Sequence, residues 1–403
     1  MKSTRNIRNI LTTSIAAVIA TLGVPQKTEA ATSTWNVNAA GNWSLASNWA
    51  GSVIADGATF TANFTFDINA DRIVTLDSAR TLGNLLFTDA SNNYTIAGTS
   101  ILTLDAAAAS SISMTNAGRT ALVNVPLAGL AAKGIVLPTT SLGTVSLGSN
   151  ASTFNGQVTI SNGATLQLGA GALTAGVAGS AVASTTSLGT GGAGNETIVQ
   201  AGGALNVNAQ NTGNLEIIRI AGFGNATIAG AALVNNGAAS LNALSTVVLT
   251  GDAAVGGSGR FDLRNNVPLL DLAGFRLTKI GANQFSVVGG SITDGNIDVT
   301  AGTFSVETTA QVQGTRSITL NTGGTLGLWT NVAGQFTRQI VLAGGVINEL
   351  GSASATSTVN SKMMLASTTT VTVNNAATVL TLTGKITQSG GSFGFNKIGR
   401  AHV

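Results

Sequence analysis

Short apolar-x-apolar triplets, separated by two or three small residues, recur along the chain. They read VTISNGATLQL from Val158, TIVQAGGALNV from Thr197, IDVTAGTFSV from Ile297, ITLNTGGTLGL from Ile318 and IVLAGGVINEL from Ile340. Alternation over so few residues puts one set of side chains on one face of a strand, and the Asn, Gly and Ala between the triplets are turn chemistry. Each unit therefore predicts strand, tight corner, strand. Like positions return at a nearly constant interval, at Ile297, Ile318 and Ile340 in one apolar column and at Phe285, Phe304 and Leu326 in another. That period is too short for a helix-pair repeat or a propeller blade, and Leu and Asn do not recur as a leucine-rich repeat requires. The pattern predicts an all-β chain wound as a right-handed parallel β-helix with coils of about 20–22 residues. About 17 such coils, rising about 4.8 Å each, would make a rod roughly 80 Å long. Val, Ile and Leu would line its interior, and Ser, Thr and Asn would cover it. The pairs Asn92-Asn93, Asn235-Asn236, Asn265-Asn266 and Asn374-Asn375 fall between strand-like segments and read as coil corners, because Asn tolerates left-handed backbone and stacks as a hydrogen-bonded ladder. One Tyr and thirteen Phe without paired aromatic girdles argue against a transmembrane barrel.

The first residues depart from this pattern. Lys2, Arg5 and Arg8 precede an apolar run from Ile10 to Val24 and small residues up to Ala30, the signature of a secretory signal peptide over 1–30. Its removal takes away Lys2, Arg5, Arg8, Lys27 and Glu29, so 19 basic and 16 acidic residues become 15 and 15. The exported chain is then neutral with no Lys/Arg run, which argues against nucleic acid as a partner. The chain is 9% charged, has 51 Gly and is 44% hydrophobic. Hydrophobicity of that order with little net charge predicts folding rather than disorder. No cysteine is present, so packing and backbone hydrogen bonds must hold the fold without disulfides.

The organisation that follows is a signal peptide at 1–30, a Trp-containing cap with the first coils at 31–110, and a repeat region at 111–397. The tail 398–403 interrupts a unit opening at Lys397 and reads as an artefact.

Two regions resemble the autotransporter-associated β-strand repeat proteins. One is STWNVNAAGNWSLASNWAG from Ser33, followed by IVTLD and LGNLLF. The other is LTKIGANQFSVVGGSITDGNIDVTAGTFSV from Leu277, where Lys-x-Gly precedes a strand, a Gly-rich turn and a second strand. GFNKIG, ending at Gly399, looks like the opening of another copy. The resemblance implies a passenger-type parallel β-helix exported across the inner membrane and displayed by a carboxy-terminal barrel or sorting signal. No such part is visible after Gly390, so membrane attachment would rest on a missing carboxy-terminal part.

Catalytic chemistry has few candidates. His402 is the sole histidine and lies in the tail, so neither a Ser-His-Asp triad nor a His-rich metal site can be assembled. GGSGRFD at Gly256 is a single imperfect relative of the calcium-binding β-roll repeat, and one copy makes no ladder of sites. No cofactor is expected. The densest charge lies between Asp252 and Asp298, where Asp271 and Asp294 are separated by close to one coil. Stacked in this way, the two would repel and raise one pKa. With Asp298 and either Arg276 or Lys279, they would form the acid/base groups of a polysaccharide-degrading alternative. The simpler reading is a set of solvated corners with interleaved charges. Trp35, Trp43 and Trp49 offer carbohydrate-stacking rings if exposed, or a closure for the first coil if buried. The sequence therefore predicts a non-enzymatic structural or adhesive rod at the cell surface. Its partners would be an extracellular ligand, a carbohydrate or another copy of itself.

Overall fold

The computed structural model describes residues 31–129, 133–149, 151–169, 187–351, 355–375 and 377–399. The leader read at 1–30 lies outside the described residues. The chain winds as a parallel β-solenoid of about 14 turns, 48% strand and 2% helical. Each full turn contributes three strands. In one of them Ser291–Ile292 lies on the first face, Asn296–Val299 on the second and Gly302–Glu307 on the third. Each strand pairs in parallel with its counterpart in the next turn, at Gln311–Val312, Ile318–Asn321 and Gly324–Trp329.

The predicted ladders are real registers. Ile297, Ile318 and Ile340 are Cα partners on the second face, and Phe285, Phe304 and Leu326 on the third. All six are fully buried. Stacking like on like keeps the apolar column continuous from turn to turn, at roughly 25 cal/mol per Å² of apolar surface removed from water.

Turn length differs from the expected constant value. Thr32 pairs with Thr61, Thr95 with Leu122 and Leu205 with Leu233, all longer strides than expected, and Thr165 pairs with Ala204, a stride nearly double the expected one. Longer turns explain why the stack holds about 14 of them rather than the larger number expected. At about 4.8 Å per turn it is roughly 65 Å long. The two-strand unit also changes place. Val158–Ile160 and Thr165–Leu168 bracket the corner between the first and second faces, whereas Asn296–Val299 and Gly302–Glu307 bracket the corner between the second and third.

The corners are closed by short polar side chains of neighbouring turns. Asp71 accepts the Asn93 N–H, Asp56 that of Thr81, Asp252 that of Arg276, and Asn84 that of Ser111. Asn235, wholly buried, accepts the Ala209 N–H and donates to the Ala238 and Arg260 carbonyls. The Asn pairs thus act chiefly on backbone groups, satisfying amides and carbonyls that a corner takes out of the ladder. Gly302, at φ 63°, shows the close approach: a Cβ there would lie 2.3 Å from the Gly281 carbonyl oxygen of the turn below.

The Lys-x-Gly motif has a mechanical explanation. Lys279 occupies an interior position between Val255 and Val299, and its ammonium donates to the carbonyls of Ile280, Gly281 and Ala301. Burial pushes its pKa down to about 8. Lys397 donates likewise to the Gly399 carbonyl, but its strand, Phe395–Gly399, lies on the third face rather than the second. In that strand Ile398 and Gly399 pair with Thr372 and Val373; residues 400–403 lie outside the described residues.

At the amino end, two short 3-10 turns, Ala46–Asn48 and Ala50–Ser52, fold across the first coil. Trp35, Trp43 and Trp49 are 0%, 0% and 2% exposed. The Trp43 indole donates to the Ala55 carbonyl and that of Trp49 to the Trp43 carbonyl. Their rings pack edge-on and tilted against one another and Phe64, closing the apolar bore.

Candidate functional site

The three carboxylates read from the sequence are placed apart. Asp271 ends a first-face strand and accepts hydrogen bonds from the Thr293 hydroxyl at 2.6 Å and the Ala273 N–H at 3.0 Å. The expected stacking of Asp294 on Asp271 does not occur. Leu270 pairs with Ile292, which sets Thr293 level with Asp271 and moves Asp294 one position on, into the corner. There Asp294 accepts from Thr315 N–H and hydroxyl and from Arg316 N–H, at 2.9–3.0 Å. Burial opposes its ionisation, but these bonds hold its pKa below the usual carboxylate range. Asp298 lies on the second face and pairs with Arg276 at 3.3 Å, while Lys279 turns inward. The rings of Trp35, Trp43 and Trp49 present no free face to a sugar in this conformation, because each is buried within the cap.

A denser polar arrangement stands on the outer side of the third face. Phe261 and Leu263 point into the core, so Asp262 between them points out, yet it is 0% exposed. For Asp262 the reading as a solvated corner is corrected here, whereas Asp252 and Asp294 do stand at corners. Arg260 grips Asp262 through two nitrogens at 2.8 and 2.9 Å, and its Nη2 also reaches Glu307 at 3.0 and 3.2 Å. Arg264 donates to Asp262 at 2.7 Å. Gln284 and Ser305 complete the Glu307 carboxylate, each at 3.0 Å. Burial lowers the Arg260 pKa, and the two carboxylates more than reverse this. Such a set presents planar, oriented donors and acceptors held by charge-assisted hydrogen bonds. The sequence carried one faint signal for it: Arg260, Asp262 and Arg264 alternate with apolar residues in a chain only 9% charged.

Two acids were not anticipated as buried. Glu349 takes an interior position opposite Leu328, its Oε1 accepts the Gly351 N–H, and burial raises its pKa. Glu216 accepts the Thr197 N–H at 3.0 Å through Oε1, while its Oε2 has no partner. Burial first, and then the nearby Glu196 carboxylate, push the Glu216 pKa up to about 8, against hydrogen bonds from Thr197 that lower it. Because the folded pKa lies above the unfolded value of 4.5, the native state holds a proton that the unfolded chain releases. The stability this confers is complete below about pH 4.5 and is lost as pH rises through about 8. Each tenfold difference in proton affinity corresponds to about 1.4 kcal/mol. Glu216→Gln is therefore expected to flatten the fall in denaturation midpoint between pH 5 and pH 8.5, leaving the variant the more stable protein at the upper end. Parallel midpoint curves for the two proteins would refute this.

Among the described residues, no group of three or more His, Cys, Asp or Glu is placed to hold a metal ion. No family model, curated protein or solved structure matches the chain.

Proposed function

We propose that the chain is an exported, surface-displayed rod of the autotransporter passenger type, acting mechanically and by multivalent contact, without catalysis. The observation that carries this reading is the stack of about 14 parallel turns, which makes a stiff one-dimensional scaffold whose long faces are available for contact. The Lys-x-Gly, strand, Gly-rich turn, strand passage from Leu277 supports the passenger assignment, as do the leader-like start and the balanced charge of the remainder. Export is tested by expressing the full chain in a bacterium with an outer membrane, fractionating the cells and sequencing the amino terminus. The expected product begins at Ala31 outside the cytoplasm. A cytoplasmic protein retaining Met1 would overturn the reading. The polysaccharide-degrading alternative is tested in parallel by incubating the purified protein with neutral and acidic polysaccharides. Time-dependent release of reducing or unsaturated ends would overturn the non-catalytic assignment.

A further inference from the structure

We infer that the third face carries a binding site for a neutral glycan, with the Trp329 indole as its stacking platform and the network around Glu307 as its polar wall. Trp329 closes the strand Gly324–Trp329, in which Leu326 and Leu328 point into the core. Alternation therefore turns the indole outward. Unlike Trp35, Trp43 and Trp49, it is partly exposed. Its Cα partner in the turn below is Glu307, so the ring stands one rung, about 4.8 Å, from the strand position that bears the carboxylate.

The wall beside the ring is already built. The Glu307 and Asp262 side chains are 4% and 0% exposed and are held by Arg260 and Arg264, whose side chains are 25% and 36% exposed and form the rim. Ser286 and Ser305, on outward positions of the same face, are fully buried beneath this layer. The outer side of a sheet facing water does not need this much buried polar structure, and burying such groups costs free energy unless every partner is in place. A pyranose matches the arrangement. Its apolar C–H face stacks on an aromatic ring, and its hydroxyls accept from the guanidinium groups at the rim, which the buried carboxylates hold in place.

Charge decides which sugars. Two arginines and two carboxylates sum to zero, and each guanidinium is already paired with a carboxylate. A uronate or sulfated sugar would have to displace Asp262 or Glu307 from its arginine, whereas neutral hydroxyls use the guanidinium N–H groups left at the rim. The site does not depend on export or display, so it stands or falls separately from the proposed function.

The test uses the purified full chain with neutral cello-, manno-, galacto- and xylo-oligosaccharides, and oligogalacturonate as the acidic comparison. It reads titration calorimetry and iodide quenching of tryptophan fluorescence. One neutral series is expected to bind and to shield the quenchable component, which belongs to Trp329 because the other three indoles are buried. Trp329→Ala and Glu307→Gln should each weaken binding at least tenfold, and the fold-conserving Trp329→Phe should weaken it several-fold. The absence of neutral-sugar binding at millimolar concentration would overturn the site. Tighter binding of oligogalacturonate, or undiminished binding by Trp329→Phe and Glu307→Gln proteins with wild-type melting temperatures, would do so equally.

Discussion

Phe64→Ala is expected to remove about 3–5 kcal/mol of stability, the range for deleting a buried aromatic side chain, and to unseat the amino-terminal cap. The Phe64 ring lies 6.4, 5.7 and 6.0 Å from the rings of Trp35, Trp43 and Trp49, and 4.9 and 5.3 Å from those of Phe87 and Tyr94. It joins the three cap indoles to the aromatic residues of the following turns. Its loss opens a cavity that five large rings cannot fill by small movements, since close-packed aromatic groups have few alternative rotamers. The damage should appear first at the end, because solenoid turns are held chiefly by their neighbours. Limited proteolysis should cut near Trp43 before any site in the centre, and urea unfolding should show an early phase in tryptophan fluorescence. Phe64→Leu, which keeps most of the volume, should recover more than half of the loss. A fluorescence-detected stability indistinguishable from that of the parent would show that the cap is held by something other than this ring.

Arg338→Met should cost on the order of 3–5 kcal/mol, since each buried acceptor left without a donor forfeits about 1–3 kcal/mol. Arg338 is wholly buried. Its Nε donates to the Gln313 carbonyl at 2.9 Å, Nη1 to that of Gly295 at 2.8 Å and Nη2 to that of Thr293. One guanidinium thus ties the corner of its own turn to the corners of the two turns below. Burial lowers its pKa to about 10, partly offset by the Asp294 carboxylate, so the group remains charged at neutral pH. Methionine fills the space of the stem and supplies no donor, stranding three carbonyls; lysine supplies a compact ammonium that cannot span them. The order of stability should therefore be parent, Arg338→Lys, Arg338→Met, read from denaturant midpoints. Amide exchange should quicken in 293–340 while 60–125 is unaffected. Uniform protection changes along the rod would rule out the local role assigned to this side chain.

Much of the architecture was legible because the residues that stack are also the residues that repeat. Ile297, Ile318 and Ile340 sit at nearly equal intervals in the chain and on top of one another in space. The first-face strands of these turns were not legible: Ser291–Ile292 and Gln311–Val312 are each a single polar-apolar pair, too short to register as alternation. The polar cluster was hidden for a different reason. A sequence assigns Asp262 to the outer side by its position between Phe261 and Leu263, but outward does not mean hydrated once Arg260 and Arg264 close over it. Lys279 was read as an outer-face partner of the carboxylates and Arg338 was not singled out, because long cationic side chains are ordinarily read as surface groups, whereas here their stems run through the packed interior and their heads satisfy corner carbonyls. The Trp cluster was read in two ways, and the buried arrangement is the one observed.

The unequal strides have a consequence for how such a molecule tolerates change. The circuit from Phe285 to Phe304 is markedly shorter than the circuit from Leu205 to Leu233, yet each returns its strand to its own column. Length is therefore absorbed where the path bends, and the threads running along the axis are indifferent to it. A lineage carrying this fold is free to lengthen or trim its excursions one circuit at a time, revising what the exterior displays while the screw beneath keeps its pitch.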